Sequence, residues 1–538
     1  MQTLVSEFSS RQSGVGVHLI SYEENEMLYR LRHGALDADL IVFSRIGDVL
    51  SSKDALADLT STAAFSRFNT YCSSFLGDEE GRVYCLPSPG PVFSYCANLD
   101  LIRSLNLSVP ETVYDLSFLA KSCAGAEGKS AFASAWDKDN APLDLFLQTC
   151  LTSYFSSTKG KSAFVSFALS GEKLSSSPSL PNFLSSINEL KKLYSSGFYD
   201  PSLVGEHAVD AFLEGKVALL SCSPKTNLWG RIENKSPAFS YKYFPFLGCS
   251  SSEALIPASC ACFLSVAKAG IKAQKRIPIR DFTDFFVSEE GQGLLIEEES
   301  EDGRYRNFSH RKGSSFASSP DLAPLSNCLA KGRIFIIDRF VQVFSDCKDA
   351  LASLAENSTS ASIFVQQLDR QRAEAVEKRS RQYDLSSLYD SSGSSLNDIR
   401  ECLDKIASSL RRAYEADVTI IPSSFLQNEI LGPELSETDL EAVFDKQFEI
   451  IPTLMSGSLL SEALLGVLRK RDLGYAYSGV KNSGGNFVLA SGSPIKEKGE
   501  YLVYCPSEVL EGLSESPKSH GKPAPALEKL KEMWRKAA

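Results

Sequence analysis

The stretch from Ala211 to Gly230 constrains the possible folds most, because three kinds of local structure follow one another in it. A Gly-Lys pair separates the end of a predicted helix from the apolar run Val217–Leu220, which is typical of a buried strand. A loop rich in Ser and Pro leaves the carboxyl end of that strand and leads towards Trp229. Open α/β sheets bind ligands outside the carboxyl ends of their strands, so we expect this loop to border a ligand site.

The beginning of the chain predicts an α/β fold, because helices and strands alternate along it. Strands are expected at Val15–Ser21 and Asp39–Phe43, with a helix at Glu24–His33 between them. Arg45 follows the second strand and is either a ligand-binding residue or an ordinary surface charge. At 538 residues the chain is too long for one core, so about two to four domains are expected.

Several segments match a known sequence family. In the opening stretch, the matching positions of the motif F-x-x-G-K-A-A-M-x-x-x-G-x-W are Phe212, Gly215, Lys216, Ala218 and Pro224. With this motif and the segments around it, the chain resembles family 1 extracellular solute-binding proteins, the capture components of ABC importers. Two positions depart from the family pattern. Ser223 stands where the family often has Gly, and Lys225 stands where its ligand-stacking Trp would be.

Flanking segments follow in the order expected for that family. They are Gly81–Pro87, Phe93–Asn98, Val109–Asp115 and Arg280–Leu294. The resemblance implies a two-lobe, periplasmic-binding-protein-like α/β fold over residues 1–381. Lobe one would span about 1–97 and 250–315, and lobe two about 98–249 and 316–381. No export signal is recognisable at this start, so we expect that signal and the family's first strand to be missing from this chain.

The resemblance and the local patterns give six candidate ligand-binding residues. They are Arg45, Tyr95, Trp136, Ser223, Lys225 and Trp229. Trp136 stands in a loop beside charged and polar residues, where it either forms a pocket wall or packs against the protein. Lys225, in place of an aromatic ring, favours an anionic or strongly hydrogen-bonding ligand over a plain sugar face.

A second family resemblance begins after a polar, Ser-rich segment. Residues 382–395 are predicted to be a linker, and residues 396–513 a separate α+β domain that resembles the 5′-nucleotidase C-terminal domain. The matching segments are Ala416–Gln427, Asp439–Gly457, Ser478–Gly479 and Gly492–Val503. Pro422 stands in place of the family's Asn and Gln427 in place of its Arg, so we expect a degenerate, non-catalytic domain.

The last part of the chain, residues 514–538, is predicted to be a linker followed by a helix at Ala526–Lys536. Leu527, Leu530 and Trp534 lie on one side of that helix. We expect this side to dock on the protein, with the binding of a partner as the alternative.

Composition and motifs argue against catalysis, metal binding and nucleic-acid binding. The formal net charge is −11, whereas a nucleic-acid-binding surface needs a basic face. Thirteen Cys and five His residues are scattered without the spacing of a metal site. The sequence has neither the metal-ligand motifs of a two-metal phosphoesterase nor G-x-S-x-G nor a phosphate-binding loop. We therefore predict that the protein is not an enzyme and uses no cofactor.

Together these patterns predict the ligand-capture protein of an ABC importer for a carbohydrate or another small polar solute. Its expected partners are that solute and the permease subunits of the transporter. The resemblance implies a periplasmic or extracytoplasmic location, with a membrane tether through an N-terminal lipid anchor missing from this chain. Two alternatives stay open. One is a nucleoside or nucleotide binder acting through the C-terminal domain, and the other is a scaffold that binds no ligand.

Overall fold

The computed structural model divides the chain into two compact units. Unit 1 comprises Met1–Ile20 and Asp37–Val376, and unit 2 comprises Ser21–Leu36 and Glu377–Ala538. The residues that the structure describes are 1–12, 14–138, 141–147, 158–221, 237–248, 250–298, 308–315, 320–385, 388, 399–431, 434–469, 474–483 and 486–535. No helix in this described part is both long enough and apolar enough to cross a membrane.

The described part of unit 1 contains a five-stranded sheet, a three-stranded sheet and a strand pair. Its strands are β1 (Leu40–Phe43), β2 (Leu86–Pro87), β3 (Tyr95–Asn98), β4 (Ser130–Ser134), β5 (Tyr199–Val204), β6 (Val217–Ser221), β7 (Tyr241–Phe244), β8 (Ile256–Ala258), β9 (Phe263–Val266) and β10 (Ile334–Ile336). Its α-helices are Gln2–Arg11, Ile46–Ser51, Ala63–Ser66, Tyr71–Leu76, Leu99–Ser104, Val113–Ala124, Ala141–Phe146, Thr158–Ser170, Leu180–Ser195, Gly205–Leu213, Arg276–Phe286, Glu289–Glu298, Ala323–Ala330, Asp338–Asp346, Lys348–Ala355 and Ala361–Ser380.

The five-stranded sheet has the order β5-β4-β6-β3-β7. β4 runs parallel to β5 and β6, whereas β3 runs antiparallel to β6 and β7. All five residues of β6 are buried, which confirms the buried strand predicted at Val217–Leu220. The helix Gly205–Leu213 covers this sheet, because its Phe212 shares one apolar core with Val217 and Leu220.

The second sheet has the order β1-β9-β2 and is antiparallel, and β8 and β10 form a separate parallel pair. β1 confirms the strand predicted at Asp39–Phe43. The predicted lobe boundaries need two corrections, because backbone pairing decides which strands share a sheet. Residues 95–97, assigned to lobe one, lie in β3 of the five-stranded sheet. β8 and β10, assigned to different lobes, pair with each other.

The N-terminal region departs from its prediction. The strand predicted at Val15–Ser21 is wrong, since residues 14–20 form no strand and are largely exposed. An alternating pattern becomes a strand only where a neighbour pairs with its backbone. The predicted helix is present as Glu24–Arg32, but it belongs to unit 2. Its Tyr29 is buried in a unit 2 core, and the phenol oxygen accepts a hydrogen bond from the backbone N–H of Leu431 at 2.5 Å.

The described part of unit 2 is a mixed sheet with helices and two smaller strand pairs. Its strands are β11 (Gln382–Asp384), β12 (Val418–Pro422), β13 (Glu434–Ser436), β14 (Glu449–Ser456), β15 (Tyr475–Ser478), β16 (Val480–Ser483), β17 (Asn486–Leu489), β18 (Glu500–Cys505), β19 (Lys518–Ser519) and β20 (Ala524–Pro525). Its α-helices are Glu24–Arg32, Ile399–Ala413, Glu437–Val443, Gly457–Arg469, Ser507–Leu510 and Ala526–Trp534.

The main sheet of unit 2 has the order β15-β12-β18-β14-β19, and β20 also pairs with β14. Successive side chains of a strand point to opposite faces, and β12 follows this rule. Val418 and Ile420 join a core with the helix Gly457–Arg469. Ile421 joins the other core, with the helix Ile399–Ala413. Both faces of this sheet are therefore covered by helices.

Parts of both predicted linkers are structured in unit 2. Gln382–Asp384 form β11, which pairs with β13, and Tyr383 is buried. Lys518–Ser519 and Ala524–Pro525 pair with β14. The polar composition of these segments did not predict strands. An open strand edge pairs with any backbone that supplies donors and acceptors, whatever its side chains are. The terminal helix packs as predicted, with Leu527, Leu530 and Trp534 buried in a unit 2 core.

Candidate functional site

The carboxyl ends of β4 and β6 place two serines side by side. Ser134 ends β4, Ser221 ends β6, and the parallel register pairs the two residues. Both are fully buried. The sequence predicts the ligand-binding loop directly after Ser221, at this edge of the sheet.

The carboxylate of Asp144 joins the two hydroxyls. Asp144 lies on the helix Ala141–Phe146 and is fully buried. Its Oδ2 accepts a hydrogen bond from Ser134 Oγ at 2.6 Å and another from Ser221 Oγ. A buried carboxylate is costly unless donors satisfy it, so the two serines stabilise this arrangement. We call Asp144, Ser134 and Ser221 the Asp144 cluster.

Tyr95, a predicted ligand-binding residue, lies beside the Asp144 cluster. It begins β3, and the antiparallel register pairs it with Ser221. Its ring packs against Phe132 and Phe246, and only 1% of the residue is exposed. Burial and then the negative charge of Asp144 raise the pKa of Tyr95 well above its ordinary value, so the phenol stays neutral. Its Oη has no hydrogen-bond partner among the described residues.

Trp136, another predicted ligand-binding residue, lies two positions after Ser134, and two hydrogen bonds hold its backbone in place. Its N–H donates to Ser134 Oγ at 3.3 Å, and its carbonyl accepts from the N–H of Gly205 at 2.8 Å. The indole packs against Phe93, with ring centroids 5.7 Å apart. The Nε1 atom is buried, and no described residue accepts a hydrogen bond from it. The indole of Trp136 therefore packs against Phe93, while its donor has no acceptor among the described residues.

Arg45 lies elsewhere in unit 1, directly after β1 of the three-stranded sheet and before the helix Ile46–Ser51. Its side chain is 53% exposed, and its Nε lies 3.6 Å from a carboxylate oxygen of Asp48 in that helix. This is the environment of the surface charge that we gave as the alternative for Arg45. Ser223, Lys225 and Trp229 lie outside the described residues, so their roles stay predictions.

The sequence predictions missed the Asp144 cluster. Its signal is weak, since Asp144 is one carboxylate within the apolar helix sequence APLDLF. Its two hydroxyl donors lie 10 and 77 positions away along the chain. Only the pairing of β4 with β6 brings them together.

A second buried polar group in unit 1 surrounds His310. Its Nδ1 lies 3.1 Å from Tyr71 Oη and its Nε2 lies 3.2 Å from the carbonyl oxygen of Ser259. Burial lowers the pKa of His310 to about 4. Asp338 accepts a hydrogen bond from Ser259 Oγ at 2.6 Å, and burial raises the pKa of Asp338 to about 6. We call Tyr71, His310, Ser259 and Asp338 the His310 cluster. Their polar groups form hydrogen bonds with one another, so we assign the cluster a structural role.

Metal ligation has no candidate in the described part of the chain. No group of three His, Cys, Asp or Glu side chains there is placed to hold a metal ion. The Asp144 cluster supplies one carboxylate only, and its hydroxyl neighbours already donate to it. Among the described residues, the Asp144 cluster is therefore a set of hydrogen bonds between its own members.

Solved structures identify the fold. A family 1 extracellular solute-binding protein from Bifidobacterium longum subsp. infantis matches with a TM-score of 0.58 at 14% identity, over 69% of this chain and 95% of that chain. The chain has the solute-binding-protein fold over about 70% of its length. Two further structures of this kind each match with a TM-score of 0.53.

The first of these is apo RafE from Streptococcus pneumoniae, at 16% identity over 69% of this chain and 93% of that chain. The second is the putative binding protein msme from Bacillus subtilis subsp. subtilis str. 168 in an open conformation, at 14% identity over 70% of this chain and 93% of that chain. No protein-family model and no curated protein matches the sequence. The solute-binding-protein fold is thus confirmed, and the nucleotidase resemblance of residues 396–513 stays a prediction.

Proposed function

We propose that unit 1 captures a small, neutral, hydroxyl-rich solute at the edge of the five-stranded sheet. The observation that carries the proposal is the pair of buried polar groups beside the Asp144 cluster. Tyr95 Oη and Trp136 Nε1 have no hydrogen-bond partner among the described residues. Buried polar groups in proteins are nearly always satisfied, and a bound solute would supply the acceptor that no described residue offers these two.

The chemistry of the site favours a neutral ligand. Both Tyr95 Oη and Trp136 Nε1 donate hydrogen bonds, and a hydroxyl or ether oxygen accepts them. Asp144 places a carboxylate next to Tyr95, which disfavours an anion there. Of the two kinds of ligand that Lys225 predicts, these groups favour the strongly hydrogen-bonding one over the anionic one. Aromatic rings with a few directed polar groups are the usual lining of such sites.

The remaining parts of the proposal rest on the fold. We infer that the captured solute is delivered to the permease subunits of an ABC importer, at a periplasmic or extracytoplasmic location with a lipid tether. Capture needs no reacting residue, since it depends on differential affinity for a ligand-bound conformation. We also infer that unit 2 includes a degenerate, non-catalytic domain related to the 5′-nucleotidase C-terminal domain.

Mass spectrometry of small molecules released from the denatured, purified protein tests this proposal. We expect a neutral, hydroxyl-rich compound in an amount that approaches one per chain. A thermal-shift screen of sugars and nucleosides on the full chain provides the second readout. A protein that releases no compound and is stabilised by none of these solutes would favour the scaffold alternative, and stabilisation by nucleosides alone would favour the nucleotide-binding one.

A further inference from the structure

A short basic segment of unit 1 carries a charge opposite to that of the whole protein. Residues 268–280, with the sequence KAGIKAQKRIPIR, contain five cations and no carboxylate, although the formal net charge of the chain is −11. The segment follows β9 and runs into the helix Arg276–Phe286. The exposed cations are Lys268, Lys272, Arg276 and Arg280. We call residues 268–280 the basic segment.

Neighbouring carboxylates neutralise only part of this charge. Lys275 pairs with Asp39 at 2.8 Å, and Arg280 pairs with Asp281 at 3.0 Å. Lys268 donates to a backbone carbonyl, that of Asp54, at 2.8 Å. No ion pair joins Lys272 or Arg276 to a carboxylate in the described part of the chain. The basic segment therefore keeps a net positive charge at its surface.

The cations of the basic segment do not stabilise the helix Arg276–Phe286. Its first turn contains no acidic residue and begins with Arg276. The amino end of a helix carries a positive partial charge, which favours acidic side chains over basic ones there. Local folding therefore does not account for this concentration of cations.

Two aliphatic side chains stand exposed among these cations. Ile277 is 61% exposed and Ile271 is 38% exposed. The isoleucine side chain has no hydrogen-bonding group, so it stabilises a complex only where apolar surface covers it. Basic side chains are attracted to anionic lipids, and exposed apolar side chains add to the binding when they enter the bilayer interface.

We propose that the basic segment docks unit 1 onto an anionic phospholipid surface. Lys272 and Arg276 lie against lipid phosphates, and Ile271 and Ile277 enter the boundary between headgroups and acyl chains. A nucleic acid fits less well, because the segment has no aromatic residue on which a base can stack. The proposal does not depend on solute capture, since the segment shares no residue with the Asp144 cluster.

Co-sedimentation of the full chain with lipid vesicles tests the proposal. One set of vesicles contains phosphatidylcholine alone, and the other also contains phosphatidylglycerol. We expect binding only to the second set, with a loss of affinity as salt is raised. The double variant Lys272→Glu/Arg276→Glu should bind at least about thirtyfold more weakly. Ile277→Ser should bind several-fold more weakly at every salt concentration.

A matched control is Lys331→Glu/Lys348→Glu, which makes the same change in net charge at two other exposed cations of unit 1. It should bind phosphatidylglycerol vesicles like the wild type. Equal binding to both kinds of vesicle, or an equal loss in the control, would overturn the proposal. Binding to soluble polyglutamate through Lys272 and Arg276 without binding to vesicles would also overturn it, and would point to an acidic protein partner. Thermal unfolding of each variant checks that it is folded.

Discussion

Ser221 donates a hydrogen bond to Asp144, a residue 77 positions earlier in the chain. Ser221 ends β6, and Asp144 belongs to the helix Ala141–Phe146, so this bond joins two elements of different type. Ser134 completes the connection from the neighbouring strand β4. The Asp144 cluster therefore ties the carboxyl ends of β4 and β6 to the helix Ala141–Phe146.

The Asp144 cluster should contribute measurably to stability. Ser134→Ala removes one of the donors that the buried carboxylate uses, and a hydrogen bond to a charged group is worth about 1.5–3 kcal/mol. We expect the free energy of unfolding of unit 1, measured by urea denaturation, to fall by about that amount. Ser51→Ala is the control, because the Ser51 hydroxyl bonds to a backbone carbonyl at an exposed position. Similar values for the two variants would contradict this role.

The helix Glu24–Arg32 should be required for the stability of unit 2. Arg32 pairs with the buried carboxylate of Asp439, and its Nε donates to Asp439 Oδ1 at 3.2 Å. Replacing Arg32 leaves that carboxylate with fewer partners, so Arg32→Met should lower the free energy of unfolding of unit 2 by about 2–3 kcal/mol. Arg30→Met, on the same helix, removes the pair with Glu26 one turn away and should change the free energy of unfolding by less than about 0.5 kcal/mol.

A direct measurement for unit 2 is the urea midpoint of its unfolding transition in the full chain. If Arg32→Met and Arg30→Met shift this midpoint equally, Glu24–Arg32 is not an integral part of unit 2. An isolated C-terminal fragment that starts at residue 377 lacks the helix Glu24–Arg32. The same measurement therefore shows whether such a fragment lacks an integral part of unit 2.

The His310 cluster predicts two opposed effects of pH on stability. The folded pKa of His310 is about 4, below its ordinary 6.5, so only the unfolded chain binds its proton between these values. Stability falls as pH decreases through this range, by up to roughly 1.4 kcal/mol per pH unit. The folded pKa of Asp338 is about 6, above its ordinary 3.8, so the folded chain binds that proton first. Stability rises as pH decreases from about 6 towards 3.8.

Urea unfolding at pH 7 and pH 5 separates the two effects. His310→Gln should lose less stability on acidification than the wild type, and Asp338→Asn should lose more. The comparison uses the change between the two pH values, so a general destabilisation by either variant does not affect it. If both variants keep the wild-type pH dependence, these groups do not titrate as described.

Local sequence patterns predicted part of the structure well. The terminal helix Ala526–Trp534 is an example, because the spacing of Leu527, Leu530 and Trp534 shows which side of it is buried. The burial of β6 is another, since an unbroken apolar run fits a central strand. In both cases the information lies within a few residues of the feature.

The features that the sequence did not predict depend on distant residues. An amphipathic pattern shows that Glu24–Arg32 buries one side, but not that this side packs in unit 2. The polar residues Gln382–Asp384 become a strand only because Glu434–Ser436 pairs with them. Among the candidate site residues, Tyr95 and Trp136 are predictions from family resemblance and local pattern, whereas Asp144 required the three-dimensional structure.

The central claim is that Tyr95 Oη and Trp136 Nε1 bind a captured solute. Tyr95→Phe tests it most directly, because the variant removes one oxygen atom and keeps the ring that packs against Phe132 and Phe246. A phenol without a partner in the ligand-free protein adds nothing to folding, whereas a hydrogen bond to the solute is worth about 0.5–1.5 kcal/mol. Trp136→Phe, which removes the Nε1 donor, provides a second variant, and Tyr114→Phe at an exposed position is the control.

The decisive measurement is isothermal titration calorimetry with the compound identified by mass spectrometry, on wild-type and Tyr95→Phe protein. We predict that Tyr95→Phe binds about 2–10-fold more weakly while its unfolding temperature without ligand stays equal or rises. Unchanged affinity together with a lower unfolding temperature would contradict the claim. It would show that the phenol bonds to the protein itself.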